Sequence, residues 1–282
     1  MNTNAQKTWF ITGASRGLGL LIARAALQRG DNVVATARDA QAVADALEHH
    51  ANLLALPLDV TSEAAAVAAA EAAVERFGRI DVLVNNAGYG LLGAVEESSD
   101  DEVRKLYATN VFGLLNVTRA VLPVLRRQRS GHVINMSSVG GYAAYAGWGV
   151  YGSTKFAVEG ISEALAQELA PLGIHATVVE PGFFRTDFLD ARSLVATAAR
   201  IADYDATSGA TRAHAVDANH QQPGDPEKLA AAMLRLADAP QPPVRLQLGS
   251  DTVARVRAKN QSVDAEMSQW LELAQSTDFA AA

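Results

Sequence analysis

Continuous apolar runs alternate with helical stretches along most of the chain, and this alternation restricts the fold more than any other feature. Residues 8–12 (TWFIT), 32–37 (NVVATA), 53–58, 81–85 (DVLVN), 131–136 (GHVINM) and 174–179 (IHATVV) read as strands. Helical patterns at 18–28, 40–49, 62–77, 100–127 and 151–170 separate them. A strand without polar alternation is buried on both faces, as happens in a parallel sheet covered by helices on each side. Gly30 and Gly78 stand where two of the helices should stop, and Ser62 where one should start. Pro123 predicts a kink or late break in the long helix at 100–127. A helix at 225–237, a last strand at 244–248 and a polar helical stretch at 251–273 complete the pattern. The expected class is α/β, with one doubly wound parallel sheet of about seven strands in three layers.

No break in composition divides the chain before residue 180, so residues 1–282 read as a single domain. Residues 183–222 show no clear strand and carry Phe183, Phe184, Phe188 and Tyr204, the pattern of a lid over a substrate. Residues 249–282 read as a helical C-terminal tail. Cysteine is absent, which excludes disulfides, thiolate nucleophiles and iron–sulfur ligation. A net charge of -7 makes nucleic acid an unsuitable partner. No apolar run reaches the ~20 residues of a membrane span. The start lacks a basic segment followed by an apolar one, so a cytoplasmic location is expected. The six histidines are scattered, and no metal site is expected.

Between the first strand and the first helix stands Thr12-Gly13-Ala14-Ser15-Arg16-Gly17-Leu18-Gly19. Glycines there allow a tight turn and close approach of a pyrophosphate, and the helix beyond offers free N–H groups and a partial positive charge. The spacing is G-x-x-x-G-x-G rather than the G-x-G-x-x-G of the Rossmann fingerprint, and an ordinary glycine-containing turn is the alternative, but its place at the first strand–helix junction of a βαβ unit points to dinucleotide binding. An acid at the end of the second strand would hold the ribose 2′-hydroxyl of NAD, whereas an arginine accommodates a 2′-phosphate. Here that strand ends Ala37-Arg38, and Arg16 lies in the glycine turn. Two guanidiniums converging on one phosphate favour NADP(H), with NAD(H) the alternative.

Tyr151 and Lys155 are four residues apart at a helix start, so they share a face. A free tyrosine, with a pKa of ~10, is a poor acid or base near neutrality. A nearby ammonium stabilises the phenolate and brings it into range. Lysine is scarce, with five residues in all (7, 105, 155, 228 and 259), which adds weight to Lys155.

Several motifs stand in order: TGASRGLG (12–19), LDV (58–60), NNAG (85–88), TNVFG (109–113), NMSS (135–138), YGSTK (151–155) and PGFFRT (181–186). In this the chain resembles the short-chain dehydrogenase/reductase family over about residues 7–190. The resemblance implies an oxidoreductase with Asn110, Ser138, Tyr151 and Lys155 as the catalytic set. Tyr151 would be the general acid/base. Ser138 would bond the substrate oxygen, with Ser137 the competing choice; the thirteen-residue separation from Tyr151 matches the family spacing for Ser138. Asn110 would hold a relay water. The resemblance further implies Asp59 and Val60 at the adenine, Asn86, Ala87 and Gly88 beside a ribose, and Lys155 on the nicotinamide ribose. Pro181, Gly182 and Thr186 would lie at the carboxamide. A homodimer or homotetramer is implied as well.

Tyr145, Trp148, Phe183 and Phe188 are the expected substrate contacts, with Leu91, Leu92, Val139, Phe184 and Leu189 nearby. This apolar, aromatic set fits a lipophilic ketone, aldehyde or secondary alcohol. NNAGYGLLGAVEE and PGFFRTDF also resemble the 17β-hydroxysteroid/retinol dehydrogenase branch. Two alternatives stand beside this reading. One is a 3-ketoacyl-carrier-protein reductase, for which Arg126, Arg127 and Arg129 would form the basic patch facing the carrier. The other is a regulator that senses NADP(H) without turnover.

Overall fold

The apolar runs form β1 (Thr8–Thr12), β2 (Asn32–Ala37), β3 (Leu53–Pro57), β4 (Val82–Asn85), a short β5 (Gly90–Leu92), β6 (Gly131–Met136), β7 (Ile174–Pro181), a short β8 (Leu194–Ala196) and β9 (Arg245–Leu248). This computed structural model describes residues 6–48 and 50–279. The reading of the first residues, of His49 at the end of the second predicted helix, and of the last three residues of the tail lies outside that range. The helices are α1 (Gly17–Arg29), α2 (Ala40–Leu47), α3 (Glu63–Phe77), α4 (Asp100–Tyr107), α5 (Leu114–Gln128), α6 (Gly149–Leu169), α7 (Ala210–Asp217), α8 (Pro226–Asp238), α9 (Ser250–Gln269) and α10 (Leu271–Gln275).

Seven strands pair in parallel in the order β3-β2-β1-β4-β6-β7-β9. The order reverses between β1 and β4, which opens a crevice at their carboxyl ends. Side-chain alternation along β1 shows why no polar face exists. Trp9 and Ile11 enter the core shared with α1 and α8, and Phe10 enters the opposite core with α3 and α5. All three are fully buried, and each such side chain contributes about 1.5–3 kcal/mol. The stop and start signals act as expected. Gly30 and Gly78 end α1 and α3 at φ 92° and 76°, and the Ser62 hydroxyl accepts from Ala65 N–H at 3.2 Å.

Three expectations need correction. The long helix at 100–127 is interrupted: a π-helical turn, Ala108–Gly113, separates α4 from α5, whereas Pro123 ends nothing and α5 continues to Gln128. The 183–222 segment is not shapeless. It contains β8, which pairs in parallel with β5, and α7. The polar tail is two helices that meet at Trp270. In addition, Asp100–Gln128 holds an 18-residue window with mean hydropathy 1.3, long and apolar enough to cross a bilayer, which the sequence reading did not find. More than half of that window is buried against the sheet and its neighbours, as befits a core helix.

Candidate active site

The turn after β1 is built for close approach. Gly13 and Gly17 take φ of 67° and 56°, a region L-residues avoid. A Cβ on Gly19 would stand 2.4 Å from Asn86 Nδ2 and 2.5 Å from the Gly13 carbonyl oxygen. The Asn86 amide donates to the Thr12 and Gly13 carbonyls at 2.9 and 3.1 Å, and the Thr12 hydroxyl accepts from Asn86 and Ala87 N–H, both at 3.0 Å. The first and fourth strand ends are thereby sewn together. Helix α1 begins without a side-chain cap, which leaves its N–H groups to an anion. These features fit a dinucleotide pyrophosphate.

Arg16 departs from the expected pairing with Arg38. Its guanidinium donates to the Ser193 hydroxyl at 3.2 Å and the Arg192 carbonyl at 2.8 Å, just ahead of β8. Arg38 is exposed at the end of β2. The Asp59 carboxyl lies below the usual carboxylate range. The Thr61 N–H and hydroxyl hold it there at 2.9 and 2.7 Å, burial opposes them, and Arg38 adds a smaller pull. The Val60 carbonyl accepts from Asn116 at 3.0 Å, fixing that strand end to α5. Ser15 and Leu18 are half-buried in the glycine turn. Pro181 ends β7, and a Cβ on Gly182 would strike the Asp251 carboxylate at 2.2 Å. The Thr186 hydroxyl caps the turn at Asp187–Leu189 by accepting from Phe188 N–H at 3.3 Å.

At the crevice, Tyr151 and Ser138 line a small cavity of about 50 Å³ that opens to solvent. Val139, Tyr145, Trp148 and Phe183 supply apolar wall. Ser138 lines this pocket, and Ser137 does not. Phe188 sits behind the wall, with its ring 6.5 Å from Trp148 and 5.9 Å from Tyr151. Leu91 packs in the same buried cluster. Phe184 instead packs towards α8 and bridges Gly224. Of these three expected residues, Phe188 and Leu91 are therefore support and Phe184 lies elsewhere.

Lys155 is buried one turn along α6, donates to the Met136 carbonyl at 2.8 Å, and holds its Nζ 5.8 Å from the Tyr151 ring centre. Burial pushes the Tyr151 hydroxyl up to about 12, with the Ser138 hydroxyl beside it pulling the other way. Burial also brings the Lys155 amine down to about 8, opposed by Glu159. The expected lowering of the phenol is thus reversed in this state, because desolvation outweighs the Ser138 hydrogen bond. Asn110 sits in the π-helical turn. Its amide donates to the Tyr89 carbonyl and the Thr154 hydroxyl at 3.0 and 3.2 Å, and its oxygen accepts from Tyr89 N–H at 3.1 Å. A Cβ on Gly88 would lie 3.1 Å from that oxygen and 3.7 Å from Lys155 Nζ, so Asn110 and Lys155 border one small space.

Sequence reading missed the supporting charges. Glu159 stands one helical turn beyond Lys155, a spacing that was legible, and pairs with Arg245 at 3.1 Å. Burial pushes its carboxyl up to about 7. Glu97 is fully buried and accepts from Ala94 N–H, Ile201 N–H and Arg212 at 2.7, 2.9 and 2.6 Å, so that Arg212 foremost holds it at about 2. This pair ties α7 to the loop after β5. One histidine expectation is also corrected. The 183–222 segment brings ligand atoms of Asp187, Asp190 and His220 within 4.8 Å of one another, a grouping hidden by the 30-residue separation. Asp190 there accepts from Asn219 at 2.6 Å and faces His220 at 3.3 Å.

A doubly wound parallel sheet with a glycine cradle after β1 and a buried Tyr–Lys pair beside the carboxyl end of β6 fits a dinucleotide-dependent oxidoreductase. Residues 7–194 match the short chain dehydrogenase family model, and the chain belongs to that family. It is 40% identical over 269 residues to an oxidoreductase of Botryotinia fuckeliana, BOA17, covering 95% of this chain and 97% of that protein. It is 37% identical over 239 residues to a 3-ketodihydrosphingosine reductase of Bacteroides thetaiotaomicron, covering 85% and 86%. A short-chain dehydrogenase structure from Streptomyces avermitilis superposes with a TM-score of 0.91 at 41% identity, over 98% of this chain and 100% of that one. Related structures hold either dinucleotide. A serine dehydrogenase carries NADP+ (29% identity, TM-score 0.71, 86% and 94% covered). A Brucella melitensis 3-ketoacyl-(acyl-carrier-protein) reductase carries NADH (26%, 0.72, 86% and 96%). The protein is a nicotinamide-dependent oxidoreductase.

Proposed function

We propose that this enzyme interconverts a lipophilic ketone or aldehyde and its alcohol with NADP(H), with Tyr151 as general acid/base. The carrying observation is the Tyr151–Ser138 pair on the floor of an apolar, aromatic pocket with Lys155 buried behind it. The dinucleotide supplies or accepts the hydride when bound; the chain's residues handle orientation and the proton. Gly13 to Gly19 and the α1 N-terminus would hold the pyrophosphate, and Asp59, Val60, Asn86, Ala87 and Gly88 would border the adenosine half. Lys155, Pro181, Gly182 and Thr186 would border the nicotinamide half. Ser138 donates a hydrogen bond to the substrate oxygen, and Tyr151 gives that oxygen its proton during reduction. Lys155 as ammonium stabilises the phenolate that remains, and Asn110 keeps Lys155 beside a path for the returning proton.

The 3-ketodihydrosphingosine reductase relative, named for a lipid ketone, supports the substrate class. Carrier docking finds less support. Arg126, Arg127 and Arg129 precede β6, at the end of the sheet opposite the pocket, and Arg129 is bonded to the Pro171 carbonyl. NADPH oxidation against a panel of lipophilic carbonyls tests the proposal. Tight NADPH binding without turnover of any of them would favour the sensor and sink it.

Cofactor choice gives a separate prediction. Arg38→Glu should weaken NADPH about 10- to 100-fold and spare NADH, the value of a charge-assisted bond to phosphate. Fluorescence titration of both cofactors checks it, and equal weakening of the two refutes the 2′-phosphate role. The pH profile gives another. Lys155 is cationic below about 8 and neutral above it. Carbonyl reduction should therefore slow as pH rises through about 8, and Lys155→Arg should carry the remaining activity flat through that range. A wild-type profile without a limb there contradicts the assignment.

A further inference from the structure

The cavity beside Tyr151 and Ser138 measures about 50 Å³. One water occupies roughly 10–15 Å³ of such space, so the cavity takes a carbonyl group with a few carbon atoms and no more. A larger substrate has to displace wall. Part of that wall cannot yield: Val139 and Gly140 are buried in the turn after β6, and Tyr151 is buried on α6. The aromatic wall is different, since Tyr145, Trp148 and Phe183 are all partly exposed.

Two of these three aromatics are held from behind by the first turns of α9. The Asp251 carboxylate accepts from Phe183 N–H at 2.8 Å. Four residues on, the Arg255 guanidinium donates to the Ala144 carbonyl at 2.8 Å and lies 4.3 Å from the centre of the Tyr145 ring. Residues at that spacing share a helix face, so one face of α9 grips both the end of β7 and the turn before α6. Burial pushes the Tyr145 hydroxyl up, the Arg255 charge opposes this, and the Asp251 charge adds to it, so both charges act at that ring. The grip is firm because α9 is itself anchored. Thr252 is buried and donates to the Leu248 carbonyl at 3.0 Å, and the Tyr142 hydroxyl donates to Asn260 at 2.6 Å. The other end of the same turn is tied elsewhere. The Ala146 carbonyl accepts from the Thr211 hydroxyl at 3.0 Å, and the Gly147 carbonyl from Gly93 N–H at 2.8 Å. Releasing Arg255 therefore frees Tyr145 without undoing the turn.

We propose that Asp251 and Arg255 are specificity-determining positioning residues, which set the width of the cavity by holding Phe183 and Tyr145 in place and so limit the carbonyls that reach Tyr151. Neither touches the reacting atoms. The inference rests on the reading of this cavity as the substrate site.

Reduction of cyclohexanone and of 2-decalone, one ring against two, by the full-length enzyme at saturating dinucleotide tests it. Arg255 stands at the surface, so its substitution leaves the core intact. Arg255→Ala should raise kcat/KM for 2-decalone relative to cyclohexanone about tenfold, the worth of a hydrogen bond from a charged donor together with a cation over a ring. The gain should lie in KM, with the pH profile unmoved, because Tyr151 and Ser138 keep their places. Arg255→Lys, which keeps a cation at the ring, should fall between. Asp251→Ala should shift the ratio in the same direction. An equal change for both ketones, or no change, overturns the proposal. Acrylamide quenching supplies a readout besides turnover. Trp9 is fully buried, so in a Trp270→Phe background the quenching reports Trp148. Arg255→Ala should raise it about twofold as the wall loosens. Unchanged quenching overturns the brace. Raised quenching in an enzyme that reduces neither ketone upholds the brace and removes the substrate reading instead.

Discussion

Tyr151→Phe should lower turnover about 10²–10⁴-fold, the share a well-placed general acid supplies, with the fold intact. The substitution is close to a pure deletion of the hydroxyl. The ring packs against Trp148 and Phe188 at 5.4 and 5.9 Å, and phenylalanine keeps both contacts. The hydroxyl is buried, and its removal also relieves the desolvation that pushes it to about 12. Thermal stability should therefore hold or rise slightly. Dinucleotide affinity should stay near wild type, since the glycine turn and Lys155 are untouched. Stopped-flow turnover at saturating cofactor, with a parallel binding titration, separates these effects. A variant that keeps more than a tenth of the wild-type rate would move the acid/base role to another group.

Arg212→Ala should have the second largest effect, at a distance from the chemistry. The residue is nearly buried and is the ion-pair partner of a fully buried carboxylate. Removing it leaves Glu97 charged in a dry place, and breaking a buried pair costs far more than losing a surface one. Glu97 would still accept from Ala94 and Ile201 N–H, so the β5 loop would remain ordered while α7 came loose. If the 183–222 segment that carries α7 covers the substrate, kcat/KM should fall about 10²-fold, the loss that a small misplacement can produce. Limited proteolysis should find new cuts within 205–222. Unchanged kinetics with intact proteolytic resistance would reduce the pair to a structural tie irrelevant to substrate.

The sheet was legible because the parallel arrangement buries both faces of each strand, so TWFIT and IHATVV carry their own burial in plain sight. The glycine turn, Tyr151 and Lys155 were legible because close approach and a shared helix face impose fixed spacings. The π-helical turn was not. Ala108–Gly113 has ordinary helix-compatible composition, and only the Asn110 bonds to Tyr89 and Thr154 reveal why the ladder widens there. The 183–222 segment was opaque for a different reason. Its anchors join residues far apart in the chain, Glu97 with Arg212 and Arg16 with Ser193, and no local pattern encodes such pairs. Arg16 had a plausible local role, and the structure gives its side chain another partner.

The small β5–β8 sheet bears on how variation in this enzyme combines. β5 begins two residues after the NNAG turn, and β8 begins one residue after the Ser193 hydroxyl that receives Arg16. The β5–β8 sheet and the glycine turn are thus one connected hydrogen-bonded unit. Substitutions within such a network do not add. Changes in residues 190–197 chosen to widen substrate range should be epistatic with changes at Arg16 chosen to alter cofactor use. Libraries that vary the two regions separately and then merge the winners would miss the combinations that work.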